Sequence, residues 1–323
     1  MPIFCWAMMV SGSYEEDQAP LLMQHVLAQC DACALYSNVT LHVRFAGSAD
    51  GLNTTKVYNG SLHAPLGGPF RTALNTAQFI AAYRYMVVEE QRHMRHRWIV
   101  KVEPDSVVVV PRLRTLLSKI DPSVPLVLAG KPGQFWDGHM EGAIIPLSSA
   151  GLAQYARRRE KCERNHTFRD GKGEDWYMGL CANEIGIRSL FIPLMVYASL
   201  AATDLLDVCT RPLVAFHGAA LKNGDGYHKC AQLAQTAEES PPCTDVWPHC
   251  AAHNKRGCAG AARLVQRSAR LLRTAATMCA QCQPFDNDAN WWLGHCRRTC
   301  GLCAPNTTRT ASSTHVHAPL QPV

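Results

Sequence analysis

Two acidic turns and one histidine are the residues of this chain whose types and spacing suit chemistry. Glu103-Pro104-Asp105 follows an apolar run beginning at Trp98, and a single residue between two carboxylates lets both face one hard cation such as Mg²⁺ or Mn²⁺. Gly171-Lys-Gly-Glu174-Asp175-Trp-Tyr-Met-Gly179 is a second acidic loop, placed to open a helix. His217 ends the apolar stretch Pro212-Leu-Val-Ala-Phe216. Each has a plainer reading. Acidic turns cap the segment that follows, Glu174 or Asp175 serves as a helix N-cap, and a histidine at a strand end is structural.

The scaffold for these groups reads as alternating strands and helices, the pattern of an α/β layered domain with a largely parallel sheet. Residues 3–10 form a short apolar run bounded by Ser11-Gly-Ser13, residues 32–36 form another, and residues 20–29 between them suit a helix. Residues 53–68, rich in Asn, Gly, Thr and Pro, read as a loop. Apolar residues at helical spacing (Ala73, Phe79, Ala82, Tyr83, Met86, Val87) predict one long helix over 72–95. Pro104 has no N–H for a sheet ladder, so the strand from Trp98 stops at about Glu103 and its acids lie at a carboxyl edge, where ligands of open α/β sheets bind. A short helix over 112–120, strands over 125–129 and 140–146, and a helix over 149–159 follow, with Arg157, Arg158 and Arg159 suited to that helix's last turn.

The order of the motifs adds a resemblance. Lys101-Val-Glu103-Pro-Asp105-Ser-Val107 resembles the Lys-x-Asp-Asp-Asp segment of the Fringe-like, β-1,3-type glycosyltransferases of family 31. Glu141-Gly-Ala-Ile-Ile-Pro-Leu-Ser148 resembles that family's glycine-rich strand, Gly173-Glu-Asp-Trp-Tyr-Met-Gly179 its Glu-Asp motif, and Phe216-His217 its terminal Phe-His. The resemblance spans about residues 1–232, including Arg71-Thr-Ala-Leu-Asn75. It implies a GT-A-like fold (nucleotide-diphospho-sugar transferase), with a mostly parallel sheet flanked by helices. It also implies a UDP-sugar donor, a glycan or glycoprotein acceptor, Mn²⁺ (or Mg²⁺), and inversion at the anomeric carbon. Carried over position by position, Asp105, Glu103 and His217 are metal ligands, and Lys101 joins Glu103 and Asp105 in cofactor binding. Asp175 is the base that activates the acceptor, with Glu174 beside it. Glu103 and Pro104 stand where the family has aspartates, so a longer side chain and a rigid ring bear on how tightly an ion is held. A non-catalytic carbohydrate- or protein-binding protein on the same fold is the alternative, and a paired-carboxylate hydrolase would use the same residue types as acid and base or nucleophile.

Composition bounds the rest. The chain has 323 residues, 47% of them hydrophobic, enough for one or two packed domains. No apolar run approaches the roughly 18 residues needed to cross a bilayer, and no aromatic interleaving or reader motif points to nucleic acid. The net charge of +6 lies wholly in residues 243–323, which hold nine Lys/Arg against three Asp/Glu, while residues 1–242 balance at 23 of each. Of 15 cysteines, seven lie in that neutral part and eight between Cys243 and Cys303. The expected organisation is a GT-A-like domain at 1–235, a linker at 236–242, a cysteine-rich module at 243–303 and a disordered tail at 304–323.

The front and back cysteines of the module, Cys243-x6-Cys250-x7-Cys258 and Cys296-x3-Cys300-x2-Cys303, resemble the sea-anemone-toxin-like (ShK-type) domain. Here that family's six cysteines are eight, which allow 105 pairings. Cys279-x-x-Cys282 with Cys300-x-x-Cys303 also fits a four-cysteine zinc ribbon. Arg263, Arg267, Arg270 and Arg273 recur at helical spacing as a basic stripe, solvated or steering an acidic glycan or lipid surface. Cysteine usage and the sequons at Asn38, Asn53, Asn59, Asn165 and Asn306 point to the secretory pathway (Golgi or ER lumen) or secretion. Met1-Pro-Ile-Phe reads as a buried strand, lacking the basic region and cleavage site of a leader. Cys30-x-x-Cys33 reads as cysteines of structural disulfides in preference to a redox pair, because its flanks lack the tight turn and neighbouring cation that would lower a thiol pKa. Lys222-Asn-Gly-Asp-Gly-Tyr227 lacks the frame of a phosphate loop and closes the sheet edge beside His217. Trp136-Asp137-Gly-His139 is an acceptor-side wall or a piece of core.

Overall fold

The first strand sets the architecture. Ile3–Met8 is buried along its whole length, with Phe4, Trp6 and Met8 in one apolar cluster and Ile3, Cys5 and Ala7 in another. Alternate side chains leave opposite faces of a strand, so both faces of the sheet are covered, as in α/β proteins. A computed structural model of the chain describes residues 1–67, 72–130, 140–166, 173–192 and 195–239. The chain divides into two compact units, Met1–Pro242 and Cys243–Val323. All described residues lie in the first, so the cysteine-rich module with its zinc alternative, the arginine stripe, Asn306, Arg71 and Trp136 to His139 lie outside them.

In chain order the elements are β1 (Ile3–Met8), α1 (Tyr14–His25), β2 (Ala32–Ser37), β3 (His42–Val43), β4 (Leu52–Asn53), β5 (Thr55–Lys56), β6 (Leu66–Gly67), β7 (Thr72–Ala73), α2 (Thr76–Val88) and α3 (Arg92–Arg95). There follow β8 (Trp98–Val102), β9 (Ser106–Val108), α4 (Val110–Leu117), β10 (Leu126–Ala129), β11 (Ile144–Ser148), α5 (Ser149–Asn165), α6 (Glu174–Ile185), β12 (Arg188–Phe191), β13 (Val196–Tyr197), α7 (Leu205–Cys209), β14 (Ala215–His217) and α8 (Gly224–Glu239). The central sheet has seven strands in the order β12-β10-β11-β8-β1-β2-β5. It is mostly parallel, with only β11 running against its neighbours β10 and β8. The cluster on one face takes residues from α2, α5 and α6, and that on the other from α1 and α4. A second sheet, β13-β14-β9, pairs His217 with Ser106 and so brings the end of β14 beside the acidic turn.

Local signals move several element ends. The first helix begins at Tyr14 instead of residue 20, because the Ser13 hydroxyl accepts from Glu15 N at 3.2 Å and three acids fill the first turn. Pro20 is carried inside it. The long helix expected over 72–95 is two, since Thr72–Ala73 pairs as β7 with β6 and Gln91 takes a left-handed φ of 50°. Before that turn the Glu89 and Glu90 amides both return to Tyr85 O, closing α2. Helix α5 runs on to Asn165, which puts Arg157 to Arg159 in its middle instead of its last turn. Arg158 instead reaches Ile185 O, at the carboxyl end of α6.

Six of the seven cysteines of this unit are paired: Cys5–Cys30, Cys162–Cys181 and Cys209–Cys230. Cys30 thus bridges to β1 and not to Cys33, which is free. The Cys162–Cys181 bridge ties α5 to α6, the helix that begins at Glu174, across 19 residues. Replacing both cysteines by alanine is expected to cost about 3 kcal/mol of unfolding free energy, mainly by releasing the denatured chain. Urea unfolding of the two proteins checks it.

Candidate functional site

A lysine in the middle of an apolar strand must find partners or lose its charge. Lys101, on β8 in register with Trp6, is 1% exposed. Its ammonium donates to Gly142 O at 2.7 Å and to Glu103 Oε1 at 3.0 Å, and lies 3.1 Å from Glu174 Oε2. Burial alone would lower its pKa, but the two carboxylates hold it well above the ordinary lysine range. Lys101 was expected among the cofactor-binding residues. It is instead closed off behind the acidic turn, where it fixes Glu103.

The turn itself is built by Pro104. Ser106 N donates to Glu103 O, and proline in the second position of such a turn presets the backbone angle. Glu103 and Asp105 then project on either side of His217, whose Nε2 lies 3.2 Å from Glu103 Oε2 and 3.4 Å from Asp105 Oδ1. One ligand atom from each of the three lies within 4.8 Å of the others. Asp105 is 4% exposed and accepts from Tyr14 OH at 3.2 Å. Burial pushes its carboxyl up, but the His217 hydrogen bond and charge, then Lys222, hold it below the ordinary value of 3.8. His217 is shifted the other way. Burial lowers its pKa, and Asp105 with Glu103 more than restores it, so the imidazole keeps its proton above 6.5.

The second acidic segment splits its two carboxylates between buried and open positions. Helix α6 starts at Glu174, whose amide donates to Asn75 Oδ1, a cap supplied by the residue preceding α2. Glu174 is 3% exposed and accepts from Tyr83 OH at 3.2 Å as well as pairing with Lys101. Burial pushes its carboxyl up to about 7, with Lys101 offsetting part of the shift. Asp175 is half-buried, bonds the Trp176 amide, and lines the cavity described next. Gly142 lies between the two acidic segments. A β-carbon there would come 2.7 Å from Glu103 Oε1 and 3.7 Å from Asp175 Cβ, so a larger residue would displace the Glu103 carboxylate from its present position.

Glu103, Asp105, His217, Glu174 and Asp175 all line one cavity of about 560 Å³, within the usual range for a small-molecule site. Its other walls are the loop after β1 with the start of α1 (Val10, Ser13, Tyr14, Glu15), residues 62–66, Asn75, Gln78 and Phe79 of the α2 region, and Lys222. Lys222 Nζ is 3.9 Å from Asp105 Oδ2 and 5.5 Å from the Tyr14 ring centre. Tyr14 escaped the sequence reading, and Asn75, Tyr83 and Lys222 entered it only as parts of a helix start, a helix face and a loop, without a role at the site. The capped helix start after β1 could have drawn attention to Tyr14. Lys222 follows His217 by five residues, but only the tight turn at Gly218, where a β-carbon would meet Leu200 N at 2.3 Å, brings it back.

No protein-family model matches this chain, and no curated protein matches it in sequence. Among solved structures it is similar to a glycosyltransferase involved in the glycosylation of the major capsid of PBCV-1, at 9% identity and a TM-score of 0.39 over 71% of this chain and 99% of that one. It is similar to mouse xyloside xylosyltransferase 1 at 9% identity and 0.39, over 69% and 99%. It is similar also to the galactosyltransferase LgtC crystallised with donor and acceptor sugar analogs, at 9% and 0.40, over 76% and 99%. Values this low assign no role to any residue, and the functional reading rests on the site.

Proposed function

We propose that this chain is an inverting glycosyltransferase that moves a hexose or N-acetylhexosamine from a UDP-sugar to a hydroxyl of a glycan or glycoprotein, with Mn²⁺ or Mg²⁺ held by Glu103, Asp105 and His217. The observation that carries the reading is the meeting of those three groups, from segments about 110 residues apart in sequence, in the cavity that Asp175 also lines. The donor set fits such an ion. Two carboxylates and one imidazole are hard or borderline ligands, and His217 Nε2 lies within 3.4 Å of both carboxylates. His217 Nδ1 is buried without a hydrogen-bond partner among the described residues.

Glu103, Asp105 and His217 would hold the ion, which when bound would supply charge neutralisation for the diphosphate leaving group. The protein's own groups do the rest. Lys101 holds Glu103 in place, and Lys222 adds a positive charge at the rim beside Asp105. Asp175, on the wall of the same cavity, accepts the proton of the incoming hydroxyl, a role that needs a carboxylate within hydrogen-bond reach. Glu174 is spent on Lys101 and Tyr83 and acts as an anchor. Attack from the face opposite the leaving diphosphate inverts the anomeric carbon in one displacement.

The test is turnover of a panel of nucleotide-diphosphate sugars by the full chain with Mn²⁺, Mg²⁺ or a chelator. Metal-dependent release of the nucleotide and metal-dependent nucleotide binding are expected. Absence of both with every ion overturns the reading, while metal-dependent binding without turnover on any acceptor identifies a binding protein. That second reading has one observation in its favour, since Lys101 already occupies one Glu103 oxygen. Release of free sugar from glycosides without a nucleotide identifies a hydrolase.

The titration of the site gives a pH prediction. An ion must displace the His217 proton, whose affinity is raised, so Mn²⁺ binding is expected to weaken up to tenfold per pH unit on acidification, starting from above pH 6.5. In the metal-free protein the sign reverses for folding. The histidine's contribution is full below 6.5 and is lost as pH rises through its raised value, while that of Asp105 is present above 3.8 and is lost as pH falls through its lowered value. Calorimetric Mn²⁺ titrations and urea unfolding, each across pH 5 to 8, read the two signs.

A further inference from the structure

We propose that Asn59 carries an N-linked glycan whose first sugars lie in a groove on the outer face of α2. The groove, of about 600 Å³, shares no lining residue with the cavity at the acidic turn: among the described residues it is lined by Val57, Tyr58, Asn59, Ile80, Arg84 and Glu163 together with the small residues Gly60, Ala77 and Ala81. Asn59-Gly60-Ser61 is a sequon at the lip of that groove. Asn59 and Ser61 are both exposed, and the Asn59 amide has no hydrogen-bond partner among the described residues.

The other sequons of the described unit differ in how the amide nitrogen is used. Asn38 Nδ2 donates to Gly60 O at 3.1 Å, and Asn165 Nδ2 donates to Glu184 Oε1 at 2.5 Å. Asn53 is exposed and its Oδ1 is bonded to His42. It leaves Nδ2 free, but it does not border the groove. The Asn38 bond has a second effect. It pins the backbone beside Asn59, so the side chain leaves a held turn.

The groove offers what a sugar requires. Tyr58 lines it with an aromatic side chain, the residue type on which sugars stack, and Arg84 and Glu163 form a bidentate pair, Nε to Oε1 at 2.9 Å and Nη2 to Oε2 at 2.5 Å, whose edges present donors and acceptors to hydroxyl and acetamido groups. Ala77, Ile80, Ala81 and Arg84 recur at the spacing of one helix face, and Phe79 and Tyr83 occupy the inner face toward Lys101 and Glu174. The three disulfides suit the oxidising lumen in which such transfer occurs.

In the transfer, Asn59 Nδ2 attacks C1 of a lipid-pyrophosphate-linked oligosaccharide. The C1–N bond forms, the C1–O bond to the pyrophosphate breaks with its electron pair leaving on oxygen, and one amide proton is lost. The full chain, expressed behind a secretory leader in a eukaryotic cell, is trimmed to a single N-acetylhexosamine per site and mapped by peptide mass. A remnant sugar is read, because Asn-Gly deamidates unaided and conversion to aspartate is therefore no signal. A remnant on Asn59 is expected, lost in Asn59→Gln and equally in Ser61→Ala, which leaves the asparagine in place. Hydroxyl-radical labelling of Tyr58 is expected to rise when the native glycan is removed. A secreted chain bare at Asn59 overturns the site, and unchanged Tyr58 labelling on a glycosylated chain overturns its seating in the groove. Neither outcome touches the reading of the acidic cavity.

Discussion

Asp105→Ala is expected to lower metal-dependent sugar transfer by about 10²–10³-fold, the usual loss when one charge-stabilising group is removed from a transition-state site. Asp105 is the buried member of the three groups proposed to hold the ion and bonds both Tyr14 and His217. Its loss removes a ligand and also frees the imidazole proton, which Asp105 helps to hold. Asp105→Asn separates charge from shape, since the amide keeps the volume and a partner for Tyr14 but no longer attracts a cation. Equal loss in both variants, with urea midpoints near that of the parent protein, identifies the negative charge as the cause. Full activity of Asp105→Asn at saturating Mn²⁺ removes Asp105 from the ligand set.

The second large effect is expected at Asp175. Asp175→Asn lowers kcat by about 10²–10⁴-fold, the range for losing a general base, and leaves metal-dependent nucleotide binding intact. The adjacent Glu174→Gln gives a different pattern. It takes a charge from the buried group around Lys101, so its main effects are on stability and on the position of Glu103. Pre-steady-state turnover at saturating donor, alongside nucleotide titration, distinguishes the two. Loss of nucleotide binding in Asp175→Asn contradicts its role as base.

The acidic edge was legible because its signals are local. An apolar run, a proline that cannot extend the ladder and two carboxylates are read within eight residues, and the structure ends β8 at Val102 as those signals require. Helix α6 was legible for the same reason, from glycine to acidic first turn. The meeting of Asp105 with His217 was reached only by resemblance, because it depends on β9 pairing with β14, and nothing in either strand names its partner. Lys101 shows what propensity misses. A charge in the middle of Trp-Ile-Val-Lys-Val demands buried counter-charges, but their identity, Glu103 and Glu174, comes from β11 and α6 packing around it. The neighbours Glu174 and Asp175 were told apart in the sequence only by resemblance, and a helical step of about 100° buries the first against Lys101 and leaves the second half-buried. Tyr14 was missed because the sequence reading began this helix at residue 20, whereas the Ser13 cap starts α1 at Tyr14.

The single ammonium beneath the turn has a further consequence. Lys101 divides its charge between Glu103, on the cation side, and Glu174, at the root of the helix that carries Asp175. Any ligand that draws Glu103 forward leaves more of that charge to Glu174, favouring its ionised form and tightening the helix root. Under the proposed function, ion binding at Glu103 would therefore be linked to the anchoring of the helix that carries Asp175, and by reciprocity whatever engages Asp175 would alter ion affinity by the same factor.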